Sequence, residues 1–116
     1  MAISHASSAQ VLDVRPLGAQ LSGAETTTLI KTHAVEVIRM VLPAGKQVPP
    51  HSLPGEIILQ CIEGRVEVCT SEGSSTLAAG HLLYLDGHQT YSLQAAADSS
   101  LLFTILLQHK AANAAA

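Results

Sequence analysis

Turn-forming residues divide the chain at short intervals: Pro16-Leu17-Gly18, Ser22-Gly23, Pro43-Ala44-Gly45, Pro49-Pro50, Pro54-Gly55, Glu63-Gly64, Glu72-Gly73, Ala79-Gly80 and Asp86-Gly87. Between them lie runs rich in Val, Ile, Leu and Thr. That rhythm predicts an all-β sandwich or barrel, with strands near residues 26–32, 35–42, 57–62, 65–70, 75–78, 82–85, 90–95 and 101–107. Val35, Val37 and Val41 share a strand face with Arg39, while Ile38, Met40 and Leu42 share the other with Glu36. In the last strand, Leu101, Phe103, Ile105 and Leu107 alternate with Leu102 and Leu106. Apolar side chains on both faces imply that one face fills an interior and the other meets a second sheet or subunit. The Ala-rich stretches at 95–97 and 111–116 are too short to build a core helix.

At 116 residues the chain holds one hydrophobic core, hence a single domain. Its ordered body is expected over 11–109, between flexible tails at 1–10 and 110–116. Charged residues make up 13 % of the chain, about half of the roughly 25 % usual for a soluble domain. A small barrel with so little charge has apolar surface to cover, and a homodimer is the expected cover. A net charge of −3, one Phe, two Tyr and no Trp offer neither a basic stripe nor stacking platforms, which excludes nucleic acid as a partner. The longest apolar run, 101–107, is broken by Thr104 and falls far short of the roughly 18 residues of a membrane span. The opening MAISHASSAQ lacks the pattern of a secretory signal, so the expectation is a soluble cytoplasmic protein without a membrane partner.

Cys61 and Cys69 flank Glu63-Gly64. A two-residue hairpin there would pair Cys61 with Val66 and Ile58 with Cys69, placing the sulfurs out of register and on opposite faces. Reduced, packed thiols are expected, and no Cys/His cluster supports structural zinc. Glu63, Glu67 and Glu72 read as a solvated hairpin face. Gly64 and Gly80 read as turn positions. His5, His33, His81 and His109 need only solvated or capping roles. No Ser/His/Asp order, phosphate loop or pair of inward carboxylates stands out.

Gly45, five residues, His51, then Pro54-Gly55-Glu56, an apolar strand and Glu63-Gly64 resemble the first motif of the cupin superfamily, Gly-x5-His-x-His-x3/4-Glu-x6-Gly. Gly80, five residues, Asp86-Gly87-His88 and Tyr91 resemble the second, Gly-x5-Pro-x-Gly-x2-His-x3-Asn. The wording PGEIILQCIEGRVEV followed by LAAGHLLYL is similar to small single-domain bacterial cupins of the RmlC-like kind. The resemblance spans residues 35–107 and implies an all-β fold, the double-stranded β-helix or jelly-roll barrel.

In that family three His and one Glu, facing inward, hold a divalent metal. Residue by residue, the resemblance places the first His on His51, the second on Leu53, the Glu on Ile57 and the third His on Tyr91. Leu53 and Ile57 have no donor atom, whereas a catalytic metal ordinarily takes about three protein ligands. Glu56 lies one residue before the Glu position, and strand alternation turns it away from the side of Ile57. His88 falls in the turn at the barrel mouth. The expectation is therefore no metal cofactor. A divalent ion held by His51 with Tyr91, Glu56 or His88 is the alternative.

The implied function is binding of an unspecified small molecule in a mostly apolar barrel pocket. Leu53 and Ile57 would line it, His51 and Tyr91 would be its polar groups, and no catalytic residue is assigned. The Tyr91 hydroxyl is expected to reach a partner such as His51. One alternative is metal-free acid–base catalysis with His51 as base and Tyr91 as acid, as in some cupin-fold sugar-nucleotide epimerases, with Arg39 placed inward by parity for a diphosphate. Another is a metal-dependent dioxygenase or isomerase with a rearranged ligand set.

Overall fold

The structure, a computed structural model, describes residues 5–107. Residues 1–4 and the C-terminal stretch with His109 lie outside the described residues. Among the described residues nine strands form: β1 Thr27–Lys31, β2 Val35–Leu42, β3 Gln47–His51, β4 Ile57–Glu63, β5 Arg65–Thr70, β6 Gly73–Ala78, β7 Leu82–Leu85, β8 Tyr91–Ala95 and β9 Ser99–Leu106. They make a five-stranded sheet in the order β1-β2-β9-β4-β7 and a four-stranded sheet in the order β3-β8-β5-β6. Every ladder is antiparallel. The core sits between the sheets, where Ile57, Leu59 and Cys61 of β4 and Leu101 and Phe103 of β9 meet Val66 and Val68 of β5 and Tyr91 and Leu93 of β8.

Eight strands match the sequence expectation, with their ends shifted by up to two residues. The ninth, β3, was hidden by Pro49-Pro50, which reads as a turn. It forms because β3 lies at the edge of its sheet and pairs only with β8, with its register slipping between Val48 and His51. An edge strand tolerates residues that lack an amide hydrogen.

The Glu63-Gly64 hairpin does not form. β4 and β5 belong to different sheets, and the chain turns there from one layer into the other. At Gly64 φ is +91°, and a Cβ would stand 2.2 Å from Ser99 Oγ and 2.3 Å from the Asp98 carbonyl oxygen. Only glycine fits so close a crossing. Both cysteines are free, Cys61 buried and Cys69 exposed, so the absence of a bridge stands while the packing of Cys69 does not.

Glu63 is not a solvated hairpin residue either. Its carboxylate accepts the Leu17 and Gly18 amide hydrogens at 2.8 and 3.1 Å and the Ser100 hydroxyl at 2.8 Å. Arg39 is likewise displaced from the role parity suggested. It lies on the outer face of the five-stranded sheet, 8 % exposed, where Nη2 donates to the Val14 carbonyl at 3.2 Å and to the Arg15 carbonyl. An N-terminal segment thus crosses part of the outer face. Farther out, the Ala6 amide donates to the Leu29 carbonyl at 2.9 Å, so part of the expected tail touches the barrel.

Much of the rest of that face is apolar. Register places Val37, Thr104, Ile58 and Tyr84 in one row across β2, β9, β4 and β7, with Leu102, Gln60 and Leu82 in the next. Ile58, Leu82, Tyr84 and Leu106 are all exposed there. Among the described residues, no helix is long and apolar enough to cross a membrane.

Candidate functional site

The mouth of the barrel is built by the end of β3, the start of β8 and the loops before β4 and β8. His51 and Tyr91 are opposite each other in the β3–β8 ladder. Their rings lie 4.6 Å apart, and the Tyr91 hydroxyl is 2.9 Å from His51 Nε2. His51 Nδ1 stands 3.0 Å from the Pro49 carbonyl oxygen, which can only accept. Nδ1 therefore carries the proton, and in the neutral ring Nε2 accepts the Tyr91 O–H.

Tyr91 is 1 % exposed, and its ring meets Phe103 edge-on at 6.2 Å. Burial pushes its phenol up to about 12, so at neutral pH it is a protonated donor. His51 is exposed and covers the phenol from outside. The pair can share a proton, but a bound molecule reaches only the imidazole.

Leu53 is half-buried against the core, and Ile57 is 1 % exposed. The four singled-out residues thus divide by access. His51 and Leu53 are reachable, whereas Ile57 and Tyr91 are packed beneath them. Beside Leu53 lies a largely apolar groove of about 350 Å³ lined by Lys31, Pro54, Ile105, Leu106 and Leu107 among others.

Glu56 is turned outward, as alternation requires, and accepts the Tyr84 hydroxyl at 2.8 Å. Asp86 Oδ1 lies 2.8 Å from the same hydroxyl, whose single proton the two carboxylates share. Hydrogen bonds to Asp86 and Glu56 raise the Tyr84 phenol well above its ordinary value. This cluster escaped the sequence reading, although opposing Tyr84 to Ile58 would have set it beside Glu56. His88 adopts φ +66° and joins the site through its backbone, donating to the Leu53 carbonyl at 2.7 Å. His81 does cap a turn, with Nδ1 accepting the Ala78 amide hydrogen at 3.0 Å.

No protein-family profile matches the sequence, and a sequence comparison with characterised proteins found no match. Solved structures do match in shape. A cupin superfamily protein from Desulfitobacterium hafniense superposes with a TM-score of 0.72 at 15 % identity, over 84 % of this chain and 95 % of that one. The chain has the cupin fold. An RmlC-like cupin from Shewanella frigidimarina gives 0.69 at 15 % identity over 94 % and 95 % of the two chains. A conserved protein of unknown function from Streptococcus pyogenes gives 0.70 at 18 % identity over 95 % and 100 %.

At these identities the likeness reaches the fold alone, and what this cupin barrel does rests on its own side chains. Of the positions that the motif resemblance assigns to metal ligands, Leu53 and Ile57 bring hydrocarbon. Tyr91 brings a neutral phenol, and the His51 lone pair is engaged by that phenol. Among the described residues, no group of three or more His, Cys, Asp or Glu is close enough to hold a metal ion. The donor set does not fit a divalent cation.

Proposed function

We propose that this cupin barrel is a metal-free binding module that takes a small, largely apolar molecule at its mouth, against His51 and Leu53. The observation that carries the reading is the hydrogen bond from the buried Tyr91 hydroxyl to His51 Nε2. It occupies the one nitrogen lone pair that a metal would need, and Leu53, two residues along from His51, lines a largely apolar groove. A few fixed polar groups next to hydrocarbon walls are the usual make-up of a small-ligand site.

Elemental analysis of protein purified without chelators, with thermal-shift titrations of Mn²⁺, Fe²⁺, Ni²⁺ and Zn²⁺, tests the metal-free part. The expected outcome is no stoichiometric metal and no shift. One equivalent of metal, lost on His51→Ala, would overturn it. A thermal-shift screen of small aromatic and aliphatic acids and aldehydes tests the binding part, with hits expected to vanish in Leu53→Glu.

The uncovered outer face of the five-stranded sheet supports a homodimer in which two copies stack these faces about a twofold axis. Light scattering is expected to give a dimer for the wild type and a monomer for the Ile58→Glu, Leu82→Glu double variant. A wild-type monomer at all concentrations would remove this part of the proposal.

A further inference from the structure

We infer that the seam between β6 and β7 is a second binding cleft, for a neutral polyhydroxylated ligand such as a mono- or disaccharide. It is independent of the site at the barrel mouth. β6 and β7 are the last strands of their respective sheets, and neither pairs with the other. Along β6 the register sets Leu77 opposite Val66, Ser75 opposite Val68 and Gly73 opposite Thr70. Val66, Val68 and Leu77 are buried and point inward. Alternation therefore gives Ser75 and Gly73 the next inward positions, where a branched apolar residue would close the barrel. Both are exposed, and a Cβ at Gly73 would meet nothing within 4 Å.

These two small residues leave a cleft of about 340 Å³, within the range of small-ligand sites. Its apolar floor comes from inward side chains such as Val68 and Leu85, and its polar rim includes Ser75, Glu72, Asp86 and Gln89. A sugar presents C–H faces and neighbouring hydroxyls that each donate and accept. The floor suits the former. Carboxylates and an amide, with two polar atoms in one plane, suit pairs of the latter.

Two of the rim groups are already oriented by the protein. Asp86 Oδ1 accepts from Tyr84 at 2.8 Å, which leaves Oδ2 for a ligand hydroxyl. Gln89 Nε2 donates to the Thr90 carbonyl at 3.2 Å, which leaves its carbonyl oxygen as an acceptor. The lining contains Glu72 and Asp86 and no Lys or Arg, so phosphorylated or uronic sugars are repelled.

The test is an amide-resolved NMR titration of the full chain with D-glucose, D-galactose, D-mannose, maltose and cellobiose up to millimolar levels, beside glucuronate, glucose 6-phosphate and putrescine. At least one neutral sugar is expected to give saturable shifts confined to residues 70–75 and 83–89. The anionic sugars are expected to bind at least about tenfold more weakly. Ser75→Leu, which fills the inward position, is expected to abolish the shifts. Asp86→Asn keeps the size of the side chain and is expected to weaken them by about tenfold. His51→Ala is expected to leave them intact, which separates failure here from failure at the mouth. The inference is overturned if no neutral sugar saturates, if putrescine alone binds, or if binding survives both Ser75→Leu and Asp86→Asn.

Discussion

Arg39 and Glu63 grip the same stretch of backbone with opposite polarity. Arg39 donates to the carbonyls of Val14 and Arg15, and Glu63 accepts from the amides of Leu17 and Gly18. Both side chains arise from the five-stranded sheet, and together they fasten the N-terminal segment across its outer face.

Removing one half of this clasp has a defined pH signature. Burial would raise the Glu63 carboxyl, but hydrogen bonds from Leu17, Ser100 and Gly18 and the nearby Arg39 charge outweigh it and hold the group below its ordinary value. A depressed folded-state pKa contributes stability that is complete above the unfolded value and lost as pH falls through the folded one. Urea denaturation is expected to show Glu63→Gln less stable than wild type by about 1–2 kcal/mol at neutral pH. The two should converge as pH falls below the ordinary glutamate value of about 4.3 and on through the lower folded one. Parallel curves would mean that the clasp carries no charge-dependent stability.

Tyr91 predicts the opposite limb. Burial raises its phenol to about 12 in the folded protein, above the value of an exposed tyrosine. The contribution is therefore intact below about pH 10 and lost as pH rises toward the folded value. With both tyrosines raised, ultraviolet titration of the folded protein is expected to show little phenolate near pH 10, about where a free tyrosine is half ionised. Tyr91→Phe should cost about 1 kcal/mol at neutral pH, the worth of one hydrogen bond.

The thiols separate by access. Burial raises the Cys61 thiol, which also donates to the Glu63 carbonyl at 3.5 Å, while Cys69 is exposed. Ellman's reagent is expected to modify one thiol at once and the second only with unfolding. Cys69→Ser should abolish the fast phase.

Gly64→Ala puts a methyl group into the Asp98 carbonyl and Ser99 at the crossing between sheets. Because the obstacle is largely backbone, relief requires the crossing itself to move. A loss of at least about 2 kcal/mol in chemical denaturation is expected. Gly45→Ala has φ +86° and open space, and should cost only the backbone strain.

Strand placement was legible because alternation and turn residues are local signals. The β4–β5 connection was not, since a two-residue turn between apolar runs looks the same whether the chain folds back in one sheet or steps into another. Glu63 was misread for the same reason, as its partners Leu17, Gly18 and Ser100 are distant in sequence. At the site, the meeting of His51 with Tyr91 followed from the motif resemblance. The near-complete burial of Ile57 and Tyr91 did not, because side-chain volume across two sheets has no trace in spacing. The seam between β6 and β7 became visible only once register gave Ser75 an inward position.

Pro49-Pro50 on β3 bears on how this protein avoids association of a less ordered kind. A bare strand edge is a template for fibrillar growth, since an incoming chain needs a row of amide hydrogens to pair with. β3 ends its sheet with two consecutive residues that have none. Threading cross-β assembly onto that border is blocked by covalent chemistry, whatever the packing of the folded barrel. Replacing both prolines by valine would restore the template, at a position where the native ladder has little need of it.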